Sequence, residues 1–154
     1  QTLLSANKML KDNTEPFIFI SLLLVRWDAI SHKFLYTGAG HENMIVIRAQ
    51  TKDFEIIPAG GVVLGVKDDI ESYLEEKDLD LAPGDAVLFY TDGVTECMSS
   101  SGEMLELDGF LEMARKHIGK SPKEMVTNLI LDLKEYMNAR EQNDDITLMA
   151  VRKL

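Results

Sequence analysis

Leu81-Ala82-Pro83-Gly84-Asp85-Ala86-Val87-Leu88-Phe89-Tyr90-Thr91-Asp92-Gly93-Val94-Thr95-Glu96 runs from a turn through a strand to a carboxylate cluster. Pro83-Gly84-Asp85 is a strong turn signal. Ala86 to Tyr90 is apolar and β-rich, which predicts a strand. That strand delivers Thr91-Asp92-Gly93 at its C-terminal end, a position that often carries functional groups, and Glu96 follows. A second cluster, Asn143-Asp144-Asp145, precedes Ile146 to Val151, which alternates like a last strand. Crowded carboxylates repel one another unless protons or cations neutralise them, and hard oxygen donors suit Mg²⁺ or Mn²⁺. Glycine after Asp92 lets backbone approach a metal closely, since no Cβ stands in the way. Read by themselves, Asp92-Gly93 is more simply a turn and Asp144-Asp145 a loop between helix and strand.

Upstream, Leu3, Ala6, Met9 and Leu10 share one helical face, predicting a short helix that ends in Lys11-Asp12-Asn13. The apolar run Phe17 to Trp27, following Pro16, predicts a buried strand. His32 to Thr37 and Met44 to Arg48 predict further strands, separated by the turn-forming Gly38-Ala39-Gly40-His41, and the three together suggest an antiparallel meander. Gly60-Gly61 and Gly65 bracket Val62-Val63-Leu64 as a loop. They lack the Gly-Lys-Ser/Thr ending of a phosphate-cradling loop. Downstream, Leu107, Phe110, Leu111 and Ala114 repeat at helical spacing. Ser121-Pro122-Lys123-Glu124 then reads as N-cap, proline at N1 and acid at N3 of a helix from Pro122 to about Ala139, with Met125, Leu129, Leu133 and Met137 on its core face. Strands dominate early and helices late, so the fold class is α+β rather than a βαβ succession.

Composition narrows the function. The 154 residues suffice for one compact domain, taken as 1–154. Acidic residues outnumber basic ones 26 to 16, a field that repels nucleic acid and anionic membrane. No apolar run is long enough to span a bilayer and no secretory leader is evident, so a cytoplasmic location is expected. The single cysteine, Cys97, has no basic neighbour in sequence and reads as a structural thiol. His41 sits in a glycine-flanked turn without an adjacent acid or serine, which favours a structural or hydrogen-bonding role; His32 and His117 read as solvated.

The quoted stretch resembles the L-x-P-G-D … Y-T-D-G-V-x-E signature of SpoIIE-type phosphatases, the bacterial branch of the metal-dependent PPM superfamily. In matching order lie Tyr36-Thr37-Gly38-Ala39-Gly40-His41 (like Y-x-N-A-G-H), Gly61 to Gly65 (like G-x-x-L-G) and Asp144-Asp145-Ile146-Thr147-Leu148 (like D-D-I-T-L). The resemblance implies a layered sandwich of antiparallel sheets flanked by helices. It also implies a two-metal manganese or magnesium centre that activates water for in-line attack on phosphoserine or phosphothreonine. On this basis Asp92 binds metal, Gly93 contributes a carbonyl through a water, and Asp144 matches the last metal aspartate of the superfamily. Asp145 is its neighbour, not separable from it on sequence, and Glu96 serves an outer or third metal. The implied substrate is a phosphorylated anti-sigma-factor antagonist or similar regulatory protein in a partner-switching pathway.

Two departures qualify this. The D-x-x-G-H-G turn that carries the family's other metal aspartate has no counterpart here, so the domain reads as N-terminally truncated and its centre as incomplete. Gly102 to Phe110 also blurs the usual G-x-x-F-G, so a different flap is expected. The alternative is therefore a non-catalytic signalling or docking domain. Missing strands would leave an unpaired sheet edge, an invitation to a homodimer.

Overall fold

The computed structural model describes residues 1–15, 17–138 and 140–154, and its contacts divide them into two compact units. The first comprises Gln1–Asn43 and Pro58–Asp80, the second Met44–Ile57 and Leu81–Leu154. With two antiparallel sheets and four helices, the α+β expectation holds. No helix among the described residues is long and apolar enough to cross a membrane.

The first unit contains α1 (Thr2–Asn13), β1 (Leu22–Asp28), β2 (Lys33–Ala39) and β5 (Lys77–Leu79), with sheet order β1-β2-β5. Its core gathers Leu3, Ala39, Leu64 and Ile70. Met9, grouped with Leu3, Ala6 and Leu10 on one helical face, is exposed, whereas the polar Asn7 is buried. Its amide explains why: Nδ2 donates to the Lys67 carbonyl (2.9 Å) and Oδ1 accepts from Gly65 N–H (2.7 Å), so burial leaves it satisfied. The Gly60–Gly65 loop closes on the end of β2. A Cβ on Gly61 would stand 1.9 Å from the Gly38 carbonyl oxygen, an approach only glycine permits.

The expected buried strand from Phe17 to Trp27 is corrected. Pairing with β2 begins at Leu22, and the strand lies at the sheet edge. Phe17 is 94% exposed, and Ile18, Phe19, Ile20, Leu24 and Trp27 are all exposed too. Apolarity alone cannot bury an edge strand, and the Ile20 segment pairs with Leu64 of the loop rather than with a strand. Pro16 lies outside the described residues, as does Ala139, the expected end of the long helix.

The second unit holds the sheet β4-β3-β6-β7, with β3 at Met44–Ile47, β4 at Phe54–Ile57, β6 at Ala86–Tyr90 and β7 at Leu148–Arg152. The expected meander therefore breaks after β2, because β3 pairs with β4 and β6 instead. Both inner strands, β3 and β6, are buried along their whole length, which is why they read as continuous apolar runs rather than alternating ones. Against this sheet's cluster pack α3 (Glu106–Arg115) and α4 (Pro122–Met137). All four residues predicted on the inner face of α4 are buried, each worth about 1.5–3 kcal/mol of transfer free energy. A capping box starts the helix as expected: Glu124 N–H donates to Ser121 Oγ (3.3 Å) while Ser121 N–H donates to Glu124 Oε2 (3.0 Å).

Asp85 of the Pro83-Gly84-Asp85 turn is 2% exposed. Its Oδ2 accepts from Arg48 Nη1 (2.8 Å) and Ala82 N–H (3.0 Å), and its Oδ1 from Ala49 N–H (2.8 Å). Burial alone would raise its pKa, but these donors outweigh it and hold the carboxyl below the ordinary carboxylate value. Arg48 is shared with Glu55 of β4. The turn residue is thus a buried ionic clasp joining the β3–β4 hairpin to the entrance of β6.

Candidate metal centre at the β6–β7 edge

β6 and β7 pair in antiparallel register from Ala86↔Arg152 to Tyr90↔Leu148. This puts the residues after Tyr90 beside those before Leu148, so the two carboxylate clusters meet at one edge of the sheet. Thr91 joins them. Its N–H donates to the Thr147 carbonyl (3.2 Å), its Oγ1 donates to the Asp145 carbonyl (2.8 Å), and the same Oγ1 accepts from Thr147 N–H (2.9 Å).

Asp92 opens α2, a single helical turn (Asp92–Thr95). Gly93 is buried, and a Cβ on it would stand 2.6 Å from the Asp145 carbonyl oxygen and 3.2 Å from that of Asp144. Glycine here is therefore required by the close passage of the Asp144–Asp145 backbone. Glu96, one turn on, is exposed, and its N–H donates to the Asp92 carbonyl (2.8 Å).

The two aspartates that lead each cluster are oriented in the same way. Asp92 Oδ1 accepts from Gly93 N–H (3.0 Å), and Asp144 Oδ1 accepts from Asp145 N–H (2.7 Å). Each side chain is thus held through Oδ1 by the following amide. Both side chains, and that of Asp145, are solvent-exposed. Gln142 Nε2 donates to the Asp144 carbonyl (2.6 Å) and steadies the loop. In kind, this donor set fits a hard divalent cation: oriented carboxylates, backbone carbonyls and a glycine cradle that a Cβ would fill. In number it falls short of a cage, since among the described residues no three acidic, histidine or cysteine side chains converge on one point.

Sequence reasoning missed Thr91 and Gln142. The hydroxyl immediately before Asp92 was a signal for the first; nothing local marks the second. His41 makes a hydrogen-bonding contact from Nδ1 to the Glu42 carbonyl (3.3 Å). Burial pushes the Cys97 thiol above its ordinary pKa, consistent with an inert side chain. His117, expected in solvent, is instead packed in the second unit with Nε2 2.9 Å from Asp132 Oδ2 of α4, because the turn after α3 folds it onto that helix.

A curated relative, the phosphoserine phosphatase RsbU of Bacillus subtilis (strain 168), is 30% identical over 156 residues; the match covers 99% of this chain and 44% of the relative, so this chain spans less than half of that protein. Among solved structures, the SiaA-PP2C domain of Pseudomonas aeruginosa superposes with TM-score 0.82 at 20% identity, covering 97% of this chain and 58% of that one. The RsbU and RsbW domains of Rv1364c from Mycobacterium tuberculosis give TM-score 0.71 at 24% identity, with 98% and 41% covered. Those two likenesses establish a PP2C-like fold. The profile of the Stage II sporulation protein E family matches residues 1–154, and the chain, with its two antiparallel sheets and its paired aspartate loops, belongs to the SpoIIE family.

Proposed function

We propose that this chain supplies one side of the active centre of a metal-dependent protein phosphatase, acting on phosphoserine or phosphothreonine of a regulatory protein. The observation that carries the reading is the meeting of two amide-oriented aspartates, Asp92 and Asp144, at the β6–β7 edge. A bound Mn²⁺ or Mg²⁺ would supply Lewis-acid stabilisation of charge on the phosphoryl oxygens and a nucleophile at neutral pH. Asp92 and Asp144 would hold it through their outward oxygens, with Asp145 beside them and Glu96 at an outer position. Gly93 keeps the two loops close enough to act together, and Thr91 locks their register. Family membership supports a place in partner switching, with a phosphorylated anti-sigma-factor antagonist as substrate.

The test is manganese-dependent release of phosphate from a phosphoserine protein by the full-length protein, with Asp92→Asn alongside. Activity retained in that variant refutes the metal assignment. A second reading, a docking domain without turnover, is favoured by the absence of a three-ligand cluster among the described residues. Tight two-site Mn²⁺ binding by this chain in a calorimetric titration would refute it. The exposed edge of β1 further supports self-association as a homodimer, which sedimentation at increasing concentration tests.

A further inference from the structure

At the opposite end of the β6–β7 pair from the carboxylates, a cavity of about 200 Å³ opens beside Ala86 and Arg152. Its walls include Lys52, Gly84, Gly119 and Arg152, over an apolar floor that includes Ile47 and Met125. Among the described residues two lining ones are cationic and none is acidic, in a chain whose net charge is −10. The local sign thus opposes that of the whole molecule and would draw in an anion.

Arg152 has unused capacity. Its Nη2 donates to the Lys120 carbonyl, while its Nε is buried without a partner among the described residues. A buried donor left without an acceptor costs on the order of 1–3 kcal/mol, a deficit that an incoming oxygen removes. Nε is sealed within the wall, and a modest rotation of the side chain would turn this edge of the planar guanidinium toward the cavity to meet an oxyanion. Lys52 brings the second charge from a turn closed by its N–H to the Arg48 carbonyl (2.9 Å). Glu124, the acid in the first turn of α4, is already engaged by Ser121 N–H (3.0 Å) and Ser121 Oγ (2.6 Å). Gly119 leaves space on its wall, since a Cβ there would meet nothing within 4 Å.

We propose that this cavity binds a phosphate group, held side-on by Arg152 and neutralised by Lys52, as a second anion site separate from the carboxylate edge. The guanidinium suits any oxyanion, and a doubly charged one such as phosphate matches the two cations. The site rests on this cavity and not on the phosphatase reading, so either can fail without the other.

The experiment is a titration of the ¹⁵N-labelled chain with inorganic phosphate and, separately, with phosphoserine, without added metal. Saturable shifts are expected at the Gly84 and Gly119 amides and at Arg152 Nε–H. Lys52→Gln and Arg152→Lys should each weaken binding about fivefold or more, as expected on losing a charge-assisted contact. Lys8→Gln, on the exposed face of α1, should leave the affinity unchanged. Similar affinity for both ligands identifies free phosphate as sufficient, and tighter phosphoserine binding identifies a phosphorylated polypeptide as the source; either result upholds the site. Absence of saturable shifts at these residues, shifts confined to the Asp92 and Asp144 loops, or equal weakening by Lys8→Gln overturns it.

Discussion

Gly93 lies against the carbonyl of Asp145 so closely that a single added methyl group would stand 2.6 Å from that oxygen. The two halves of the candidate centre are therefore in backbone contact, and side-chain chemistry depends on a residue that has no side chain. Gly93→Ala must push the Asp144–Asp145 loop away. The expected result is a loss of about 1–3 kcal/mol in chemical denaturation, as for other overpacked sites, with metal-dependent turnover of the full-length protein falling alongside. Unchanged stability and turnover would show that the loop yields freely.

Thr91→Val keeps the volume but removes a hydroxyl that both donates to Asp145 and accepts from Thr147. Two hydrogen bonds at about 0.5–1.5 kcal/mol each place the expected destabilisation near 1–3 kcal/mol. Amide exchange should speed up at Thr147 first, which hydrogen-exchange NMR reads directly.

Asp92→Asn and Asp144→Asn retain the Oδ1 acceptor that the following amide uses, so both variants should fold with near-unchanged melting temperature. Manganese-dependent activity of the full-length protein should nonetheless collapse in each. Asp145→Asn should cost less, about 10–100-fold, the range for residues that steady a ligand rather than provide one. A larger loss in Asp145→Asn than in Asp144→Asn would reverse the two roles.

The buried clasp of Asp85 with Arg48 gives stability a pH dependence. Asp85 has a lowered folded-state pKa, so its contribution is fully present above the ordinary carboxylate pKa and is lost as pH falls through the depressed native value. Asp85→Asn should flatten this acid limb in urea titrations repeated across pH. At neutral pH, Asp85→Ala should cost about 1–3 kcal/mol, since it takes the carboxylate acceptor from the Ala49 and Ala82 amides while Arg48 keeps Glu55.

Ser121→Ala removes one side of the capping box at the start of α4. The expected loss is about 1 kcal/mol, measured as a shift in denaturation midpoint at constant slope.

Strand β6 and helix α4 were legible because their signals are local: a wholly apolar run bounded by a turn, and a capped helix with apolar residues at spacing four. The Asp92 and Asp144 loops were legible as a pair through the ordered motifs. What escaped was set by distant partners. Sheet membership of β3 depends on pairing with β6, some forty residues on in sequence, which no local pattern encodes. Strand β4, short and interrupted by Glu55, carries no periodic signal, because Glu55 is there to meet Arg48. The apolar Phe17–Ile20 run suggested burial, yet burial is decided by what lies alongside a segment and not by its composition. Asp85 reads as an ordinary turn residue until Arg48 is brought to it.

The tie from Thr91 to Asp145 spans 54 residues, and it closes only through β7. Seen as an order of events, the first carboxylate leaves the ribosome long before its partner loop, and β6 waits with one edge bare until Leu148–Arg152 arrives to pair with it. The two aspartate loops can therefore meet only once β7 has paired, and deleting Leu148–Arg152 would leave β6 with that edge bare and the Asp144–Asp145 loop without its anchor.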